Sequence, residues 1–419
     1  MIVGAGAAGL ATAIFARRAA PRLSVTVLDG ARTIGAKILV SGGSRCNVTN
    51  RVVTDRDFWG GRPAIVRRVL RGFPVDATVA FFREIGVALH EEADGKLFPD
   101  SNRSRDVLAA LVAETGRRGA TIAPGCRVAS IAADAGGFLL TTSRGTIRAR
   151  AVVLATGGQS LPKTGSDGAG YAMARALGHT IVPTTPALAP LVLETDRLHR
   201  ALSGVSQDIQ LAVWIDDRVG IRLSGSLLWT HFGVSGPVAL NASRHWLRAR
   251  IDGRAVRVTV NFLPGSTLTE VDAEWTRRTA AHPRTTVLSL LARDVPASTA
   301  RALLDRLAIA PEITAAHFPR ADRRRLMQTL VEYPLPVVES RGYTYAEATA
   351  GGVALTEIDP ASMASRVCGG LYLVGEILDV DGRIGGFNFQ WAWSSGFVAG
   401  RALAKAHAPS ASPVPARPR

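Results

Sequence analysis

Met1–Leu10 reads MIVGAGAAGL, and these ten residues decide how the rest of the chain is parsed. Three residues of strand run into Gly4-x-Gly6-x-x-Gly9, the alanine-rich run Ala11–Ala19 reads as helix, and Leu23–Leu28 (LSVTVL) reads as a β-branched strand. Asp29 follows that strand, twenty residues past Gly9. In such a βαβ unit Gly4 permits the tight turn, Gly6 lets backbone approach a pyrophosphate, and Gly9 lets helix pack closely on strand. The helix amino terminus faces the phosphates with the positive end of its dipole. Asp29 is placed to accept hydrogen bonds from an adenosine ribose, and it would repel the 2′-phosphate of NADP. A lone glycine fingerprint is weak evidence; with strand, helix and acid in register it becomes specific for a dinucleotide. The first strand is short for a parallel core strand, so either a true start upstream of Met1 or a trimmed chain is expected.

Three further stretches carry glycine at the ends of strands. Gly35–Asn50 holds Gly35-Ala36-Lys37 and then Ser41-Gly42-Gly43-Ser44-Arg45-Cys46-Asn47, and it reads as a donor-rich loop suited to a ring or an anion. Ala155-Thr156-Gly157-Gly158 follows the apolar strand Ala151–Ala155, and Gly165–Gly170 opens the next helix, Tyr171–Leu177. Leu371–Val374 leads to Gly375, Glu376 and Asp379, then to Gly385-Gly386-Phe387-Asn388 and a helix over Gln390–Ala406. A helix amino terminus aimed at a ring carbonyl would stabilise negative charge there.

Between these motifs the texture changes twice. Helix-like segments at Pro63–Arg71, Val75–Glu84 and Ser104–Arg117 precede strands at 121–123, 127–133, 138–142 and 146–150. Residues 190–262 alternate with period two, as an antiparallel sheet or small barrel would. Residues 267–330 turn helical, with runs at 268–281, 284–293, 298–308 and 311–317. The expected organisation is α/β: a split nucleotide-binding domain of 1–188 and 346–407, a barrel-like insertion of 189–266 and 331–345, a helical insertion of 267–330, and a disordered tail of 408–419.

Length and composition set outer limits. The 419 residues are 47% hydrophobic and 20% charged, which is ordinary globular composition. No apolar run is long enough to span a membrane as a helix, no export signal is visible at the amino terminus, and three scattered cysteines form neither a disulfide framework nor a metal spacing. A reducing cytoplasmic setting is expected. The net charge of +16 raises nucleic acid as a partner. Yet only Lys37, Lys96, Lys163 and Lys405 are lysines, and the many arginines accompany an alanine excess, the signature of GC-rich coding rather than of a binding stripe.

Taken in order, GAGAAGL, KILVSGGSRCNVTN, LATGGQSLPKTGSDGAG, the Thr230–Pro237 stretch THFGVSGP, and VGEILDVDGRIGGFNFQWAWSSG resemble the BaiN-like, aminoacetone-oxidase-like family of FAD proteins over nearly the whole chain. The resemblance implies a split Rossmann-type FAD domain with a β-barrel-like and a helical insertion covering the ring. It also implies noncovalent FAD, with Gly4, Gly6, Ala8, Gly9 and Asp29 at the ADP half. Lys37, Ser41, Gly42, Arg45, Cys46 and Asn47 would lie near pyrophosphate and ring, and Val128 would meet the adenine through its backbone. Thr156 and Gly157 would line the cofactor, with Gly375, Glu376, Asp379, Gly386, Phe387 and Asn388 closing over the ribityl chain and flavin. Two departures stand out: Ser44 replaces a usual glycine, and Ala36 a common arginine.

The implied activity is hydride transfer between flavin N5 and a small or medium organic substrate, either C=C reduction or amine oxidation. NADH or NADPH would dock transiently, since no second glycine fingerprint is present. Cys46 could attach flavin covalently but reads better as a small packing residue. His231, between Thr230 and Phe232, is the candidate proton donor, against the plainer reading of a packed structural histidine. Tyr343 and Tyr345 could touch substrate or simply pack. Two other classes remain open: an FAD protein that modifies or binds tRNA, and a flavin protein without turnover. The oligomeric state is not legible.

Overall fold

The computed structural model describes residues 1–194 and 197–407; the expected tail of 408–419 lies outside them. The chain divides into two compact units, one formed by 1–184 with the segment from 347 onward, the other by 185–346.

The first unit is built on a five-stranded parallel sheet. In chain order its strands are β1 (Ile2–Val3), β2 (Thr26–Leu28), β3 (Thr121–Ala123), β4 (Val152–Leu154) and β5 (Leu371–Leu373). Their spatial order is β5-β4-β1-β2-β3, every pairing parallel. The chain steps from β1 outward to β3, then crosses to β4 on the other side of β1. Ligands of open α/β sheets bind at such a reversal, beyond the carboxyl ends of the strands. The inner strands β1 and β4 are buried on both faces, which is why they read as apolar runs without alternation.

Helix α1 (Ala7–Ala19) and the last helix, α2 (Phe387–His407), cross at small residues. A Cβ on Gly396 would fall 2.9 Å from Ala8 O, and one on Gly400 2.8 Å from Ala16 N. Glycine is therefore required for the backbones to meet, and the far end of the chain seals the domain that the first residues begin. α1 starts at Ala7, not Ala11, because its first turn is made of the small residues that flank Gly9. The strand expected over Leu23–Leu28 keeps only Thr26–Leu28, and the loop expected after Gly35 contains a helical turn from Ala36 that breaks at Ser41, Gly42 and Gly43.

The second unit holds a seven-stranded antiparallel sheet whose long hairpin is Ser206–Ile215 with Arg218–Trp229. Its two edge strands, Tyr333–Leu335 and Val337–Ser340, are separated in sequence by Pro336 alone. The chain thus steps directly from one edge to the other, which curls the sheet into a barrel-like form. Two features depart from the period-two reading. Pro237–Ile251 is a helix, with Pro237 at its first position and a buried stripe of Val238, Ala242, Trp246 and Ala249. The run expected at 311–317 reduces to the single 3₁₀ turn Ala315–His317, whereas Arg320–Val331 is a helix hidden in sequence by three consecutive arginines. Sheet and helices share one core, with Trp229, Trp246, Trp275, Leu303 and Met327 buried together.

Candidate functional site

Strands β1, β2, β4 and β5 deliver Gly4, Asp29, Thr156 and Glu376 to one edge of the sheet. The lattice of backbone bonds that fixes them continues past the strands: Gly4 N donates to Leu28 O, Ala155 N to Val3 O, and Val374 N to Leu154 O, at 2.8–3.0 Å.

The glycines divide by what surrounds them. Gly4 has φ +107°, and a Cβ there would sit 2.3 Å from Ala155 O. A Cβ on Gly9 would sit 1.9 Å from Gly4 O, so this glycine serves helix-on-turn packing. At Gly6 the added carbon would meet nothing within 4 Å. Gly6 is the N-cap of α1 and offers no side-chain hydrogen bond to the first turn. Open space before an uncapped helix amino terminus is what a diphosphate requires. Asp29 accepts from Ala5 N (2.7 Å) through one oxygen and from Ala31 N (2.8 Å) through the other. The carboxylate is thereby held across the mouth of the glycine turn, with lone pairs left for ribose hydroxyls.

Thr156 Oγ1 is buried and has no hydrogen-bond partner. Buried polar atoms in folded proteins are satisfied as a rule, so this hydroxyl is short of a partner here. Gly157 beside it has φ +72°, and Gly375, φ +73°, brings its backbone so near α1 that a Cβ would lie 2.8 Å from Ala8 Cβ. FAD fits this set: an open diphosphate cradle, an oriented acid, and an orphaned hydroxyl along one crevice edge.

Beside it lies a polar cluster joined across the sheet edge. Lys37 Nζ donates to Glu376 Oε2 and to Ser160 Oγ, both at 2.5 Å. Glu376 Oε1 accepts from Ser160 Oγ (2.8 Å) and Thr349 N (2.9 Å). Thr349 Oγ1 accepts from the backbone N–H groups of Gln159 and Ser160. Ser160 and Thr349 were not legible as site residues; the Thr349-Ala350-Gly351-Gly352 run, which echoes Ala155–Gly158, was the available signal.

Other expected site residues are engaged in building the loops. Asn47, with its amide oriented to satisfy both ends, donates to Thr49 O and Leu97 O and accepts from Gly386 N. A Cβ on Gly386 would meet the Thr49 backbone at 2.5 Å. Asn388 clasps both N and O of Gly382. Phe387 is buried against Phe58. Asp379 accepts from Gly61 N through its backbone oxygen. Arg45 pairs with Glu92 at 2.6 Å and lies 4.0 Å over the Phe98 ring. Ser41 Oγ donates to Ile38 O, Gly42 takes φ +55°, and Ser44 takes the same left-handed region at φ +67°. Val128 is buried at the start of the strand Val128–Asp134. Cys46 is fully buried, and burial pushes its thiol pKa up to about 12, so it offers no thiolate to a flavin ring at neutral pH. His231 is exposed in the second unit, edge-on to Phe232. Among the described residues no group of three or more His, Cys, Asp or Glu is placed to hold a metal ion, and no helix is long and apolar enough to cross a membrane.

Residues 1–402 match the family model described as the HI0933-like protein Rossmann domain. The chain belongs to the HI0933-like family. Among curated relatives, it is 33% identical to the 3-dehydro-bile acid delta(4,6)-reductase of Clostridium scindens over 404 residues, 96% of this chain and 98% of the relative. It is 32% identical to the ribosomal RNA dihydrouridine synthase of Escherichia coli over 407 residues, 96% and 97% of the two chains. In fold it is similar to 3-ketosteroid delta1-dehydrogenase from Sterolibacterium denitrificans, with a TM-score of 0.50, 14% identity, and coverage of 97% and 99%. This HI0933-like chain is an FAD-dependent oxidoreductase.

Proposed function

We propose that the enzyme reduces a carbon–carbon double bond conjugated to a carbonyl, with electrons supplied by NADH or NADPH. The open cradle at Gly6 beside the orphaned Thr156 hydroxyl carries the cofactor half of this reading. The names of the two curated relatives carry the other half. A bile-acid delta(4,6)-reductase and a dihydrouridine synthase differ in substrate, yet both names denote saturation of a ring C=C. That common chemistry favours reduction over amine oxidation.

FAD supplies hydride acceptance and donation at N5 when bound. The amino end of α1 and the Gly6 backbone would hold its diphosphate, Asp29 its ribose, and Thr156 a polar atom along the chain. Lys37 and Glu376 hold each other and Ser160, fixing a charged pair at the crevice before any ligand arrives. The preferred substrate is a small or medium organic enone. A second reading, uridine in RNA, draws on the dihydrouridine synthase relatives and the net charge of +16.

The test is direct. Purified protein should be yellow, and boiling should release FAD and not FMN. Under anaerobic conditions NADPH or NADH should bleach it, and a 3-oxo-4-ene steroid or cyclohex-2-enone should restore the colour. Colourless protein that cannot be reconstituted would defeat the proposal. Restoration by ribosomal RNA alone, with binding that weakens steeply in salt, would transfer it to the second reading.

A further inference from the structure

The crevice that fits FAD has two margins, and an ion pair joins them beyond the edge of the parallel sheet. One margin carries Asp29. The backbone that follows β3 is laced to it: Asp29 N donates to Ala123 O at 3.2 Å, Cys126 N to Asp29 O at 2.7 Å, and Gly125 N to Ala31 O at 2.9 Å. Arg127, the next residue, is thereby fixed against the turn after Asp29. A Cβ on Gly30 would lie 3.2 Å from both Cβ and Cγ of Arg127, so the stem of the arginine rests on bare backbone there. Ser143 steadies Arg127 from its other side, its Oγ accepting from Arg127 N at 3.1 Å while Ser143 N donates to Arg127 O at 2.8 Å.

The other margin carries Thr156. The loop Gly165–Gly170 returns to it: Gly168 N donates to Gly158 O at 3.1 Å, a Cβ on Gly157 would lie 2.7 Å from Ser166 Oγ, and one on Gly170 1.9 Å from Thr156 Oγ1. Asp167 stands in this loop. Its Oδ1 accepts from Ala169 N at 3.1 Å, where the helix Ala169–Ala176 starts, and its Oδ2 accepts from an Arg127 guanidinium nitrogen at 2.6 Å. Burial opposes ionisation of this carboxyl, yet the bonds from Arg127 and Ala169 hold its pKa below the usual carboxylate range, so the pair is charged at neutral pH. The two side chains are still 55% and 37% open to solvent, and an exposed ion pair contributes little to folding. What this one does is complete a ring of contacts: Asp29 to Ala5 N, β1 to β4, Gly158 to the Asp167 loop, and Asp167 through Arg127 back to Asp29. Each of the other links in that ring uses main chain. The arginine–aspartate link is made by two side chains, so it opens without unpicking the fold.

We propose that Arg127 and Asp167 form a clasp that closes over the ADP half of bound FAD and sets how fast the cofactor leaves. This rests on FAD lying in the crevice between Gly6, Asp29 and Thr156, and not on the choice of substrate. Arg127 and Asp167 are positioning residues: they join the Asp29 margin to the Thr156 margin once the nucleotide is in place. Rotation of two side chains and hydration of their charges opens the clasp, and re-pairing shuts it. Salt screens exposed charges, with a Debye length of about 10 Å at 0.1 M that shortens to about 3 Å at 1 M. Ionic strength therefore becomes a control on FAD exchange, acting at the adenosine end, where Arg127 sits beside Asp29 and Gly30.

The experiment uses holoenzyme and reads FAD release, not turnover. A phosphodiesterase cleaves each FAD that leaves to the brighter FMN, so fluorescence rises at the rate of release. Arg127→Gln, Asp167→Asn and the double variant are compared with wild type; Asp167→Asn keeps an oxygen for Ala169 N. At low salt each single variant should release FAD roughly 2–5-fold faster, the range an exposed ion pair supports. The double variant should be no faster than either single one, because the link is already cut. Arg127→Lys, which keeps the charge, should release FAD more slowly than Arg127→Gln. Raising the salt should speed wild type toward the variants and leave the variants nearly unchanged. The Tm of the FAD-free proteins should stay within about 2 °C of wild type, which a pair needed for folding would not allow. Wild-type release rates in both single variants, additive acceleration in the double, or the same salt dependence in all four proteins overturns the clasp. Wild-type protein that takes up no FAD at all would instead overturn the cofactor reading beneath it.

Discussion

Substituting Gly6 and Gly9 separates cofactor binding from folding, because the two glycines of one turn have opposite surroundings. At Gly6 the backbone has φ −82° and ψ −169°, extended values open to any residue, and the new carbon meets nothing within 4 Å. Gly6→Val should therefore fold, at a cost of about 1 kcal/mol for a β-branched N-cap. Its side chain would instead occupy the space before the helix. FAD at roughly 100 times its dissociation constant stabilises a one-site protein by about 2.7 kcal/mol. At about 2–4 °C per kcal/mol for a domain of this size, wild-type Tm should rise by about 5–11 °C on adding FAD, and that of Gly6→Val should not move. At Gly9 the added carbon would lie 1.9 Å from Gly4 O, backbone that cannot step aside. Gly9→Ala should lower the Tm of the FAD-free protein itself, by the about 1–3 kcal/mol that overpacking costs. Thermal melts with and without FAD, with absorbance as a second readout, decide both. If Gly6→Val retains FAD like wild type, or if Gly9→Ala melts normally, the assignment of roles within the turn is wrong.

Other outcomes follow from single side chains. Glu114 is buried; burial opposes its ionisation, but hydrogen bonds from Arg18, Arg118 and Arg117 win and hold its pKa at about 2. A depressed carboxyl stabilises the fold above its unfolded pKa and loses that contribution as pH falls toward the folded value. About 3 kcal/mol should disappear between pH 4.5 and 2, and urea melts of Glu114→Gln should lack this acid limb. Ser44 pays for a left-handed backbone that glycine adopts freely, so Ser44→Gly should raise stability by about 1 kcal/mol in the same melts. Cys46 should resist alkylation in folded protein at pH 8, and Cys46→Ala should keep noncovalent FAD; flavin that stays attached after acid denaturation would contradict this. His231→Ala should retain FAD, and turnover at the wild-type rate would remove His231 as a proton donor.

The parallel-sheet domain was legible because its signals are local. Glycines at strand ends, an acid at fixed spacing and apolar runs each follow from backbone geometry within a few residues. Ser104–Arg117 and Leu268–Ala281 matched their expected bounds for the same reason. What escaped depended on distant partners. Pro237–Ile251 lies in a stretch dominated by alternating strands, and only the buried face of Trp246 distinguishes it. The Ser160–Thr349 contact joins residues 189 apart. Ser44 was noticed as a departure from glycine, yet only the backbone reveals that the glycine conformation persists without the glycine.

The nucleotide domain is split in sequence: β1 lies at Ile2–Val3, whereas β5 begins at Leu371 and α2 at Phe387. During vectorial synthesis β1 must wait for some 370 residues before its sheet is complete. The second unit, contiguous from 185 to 346, can finish first. A nascent chain cut short before that return would lack an edge strand and the glycine-lined partner of α1. Coloured protein is then a report that synthesis passed through the helix Phe387–His407.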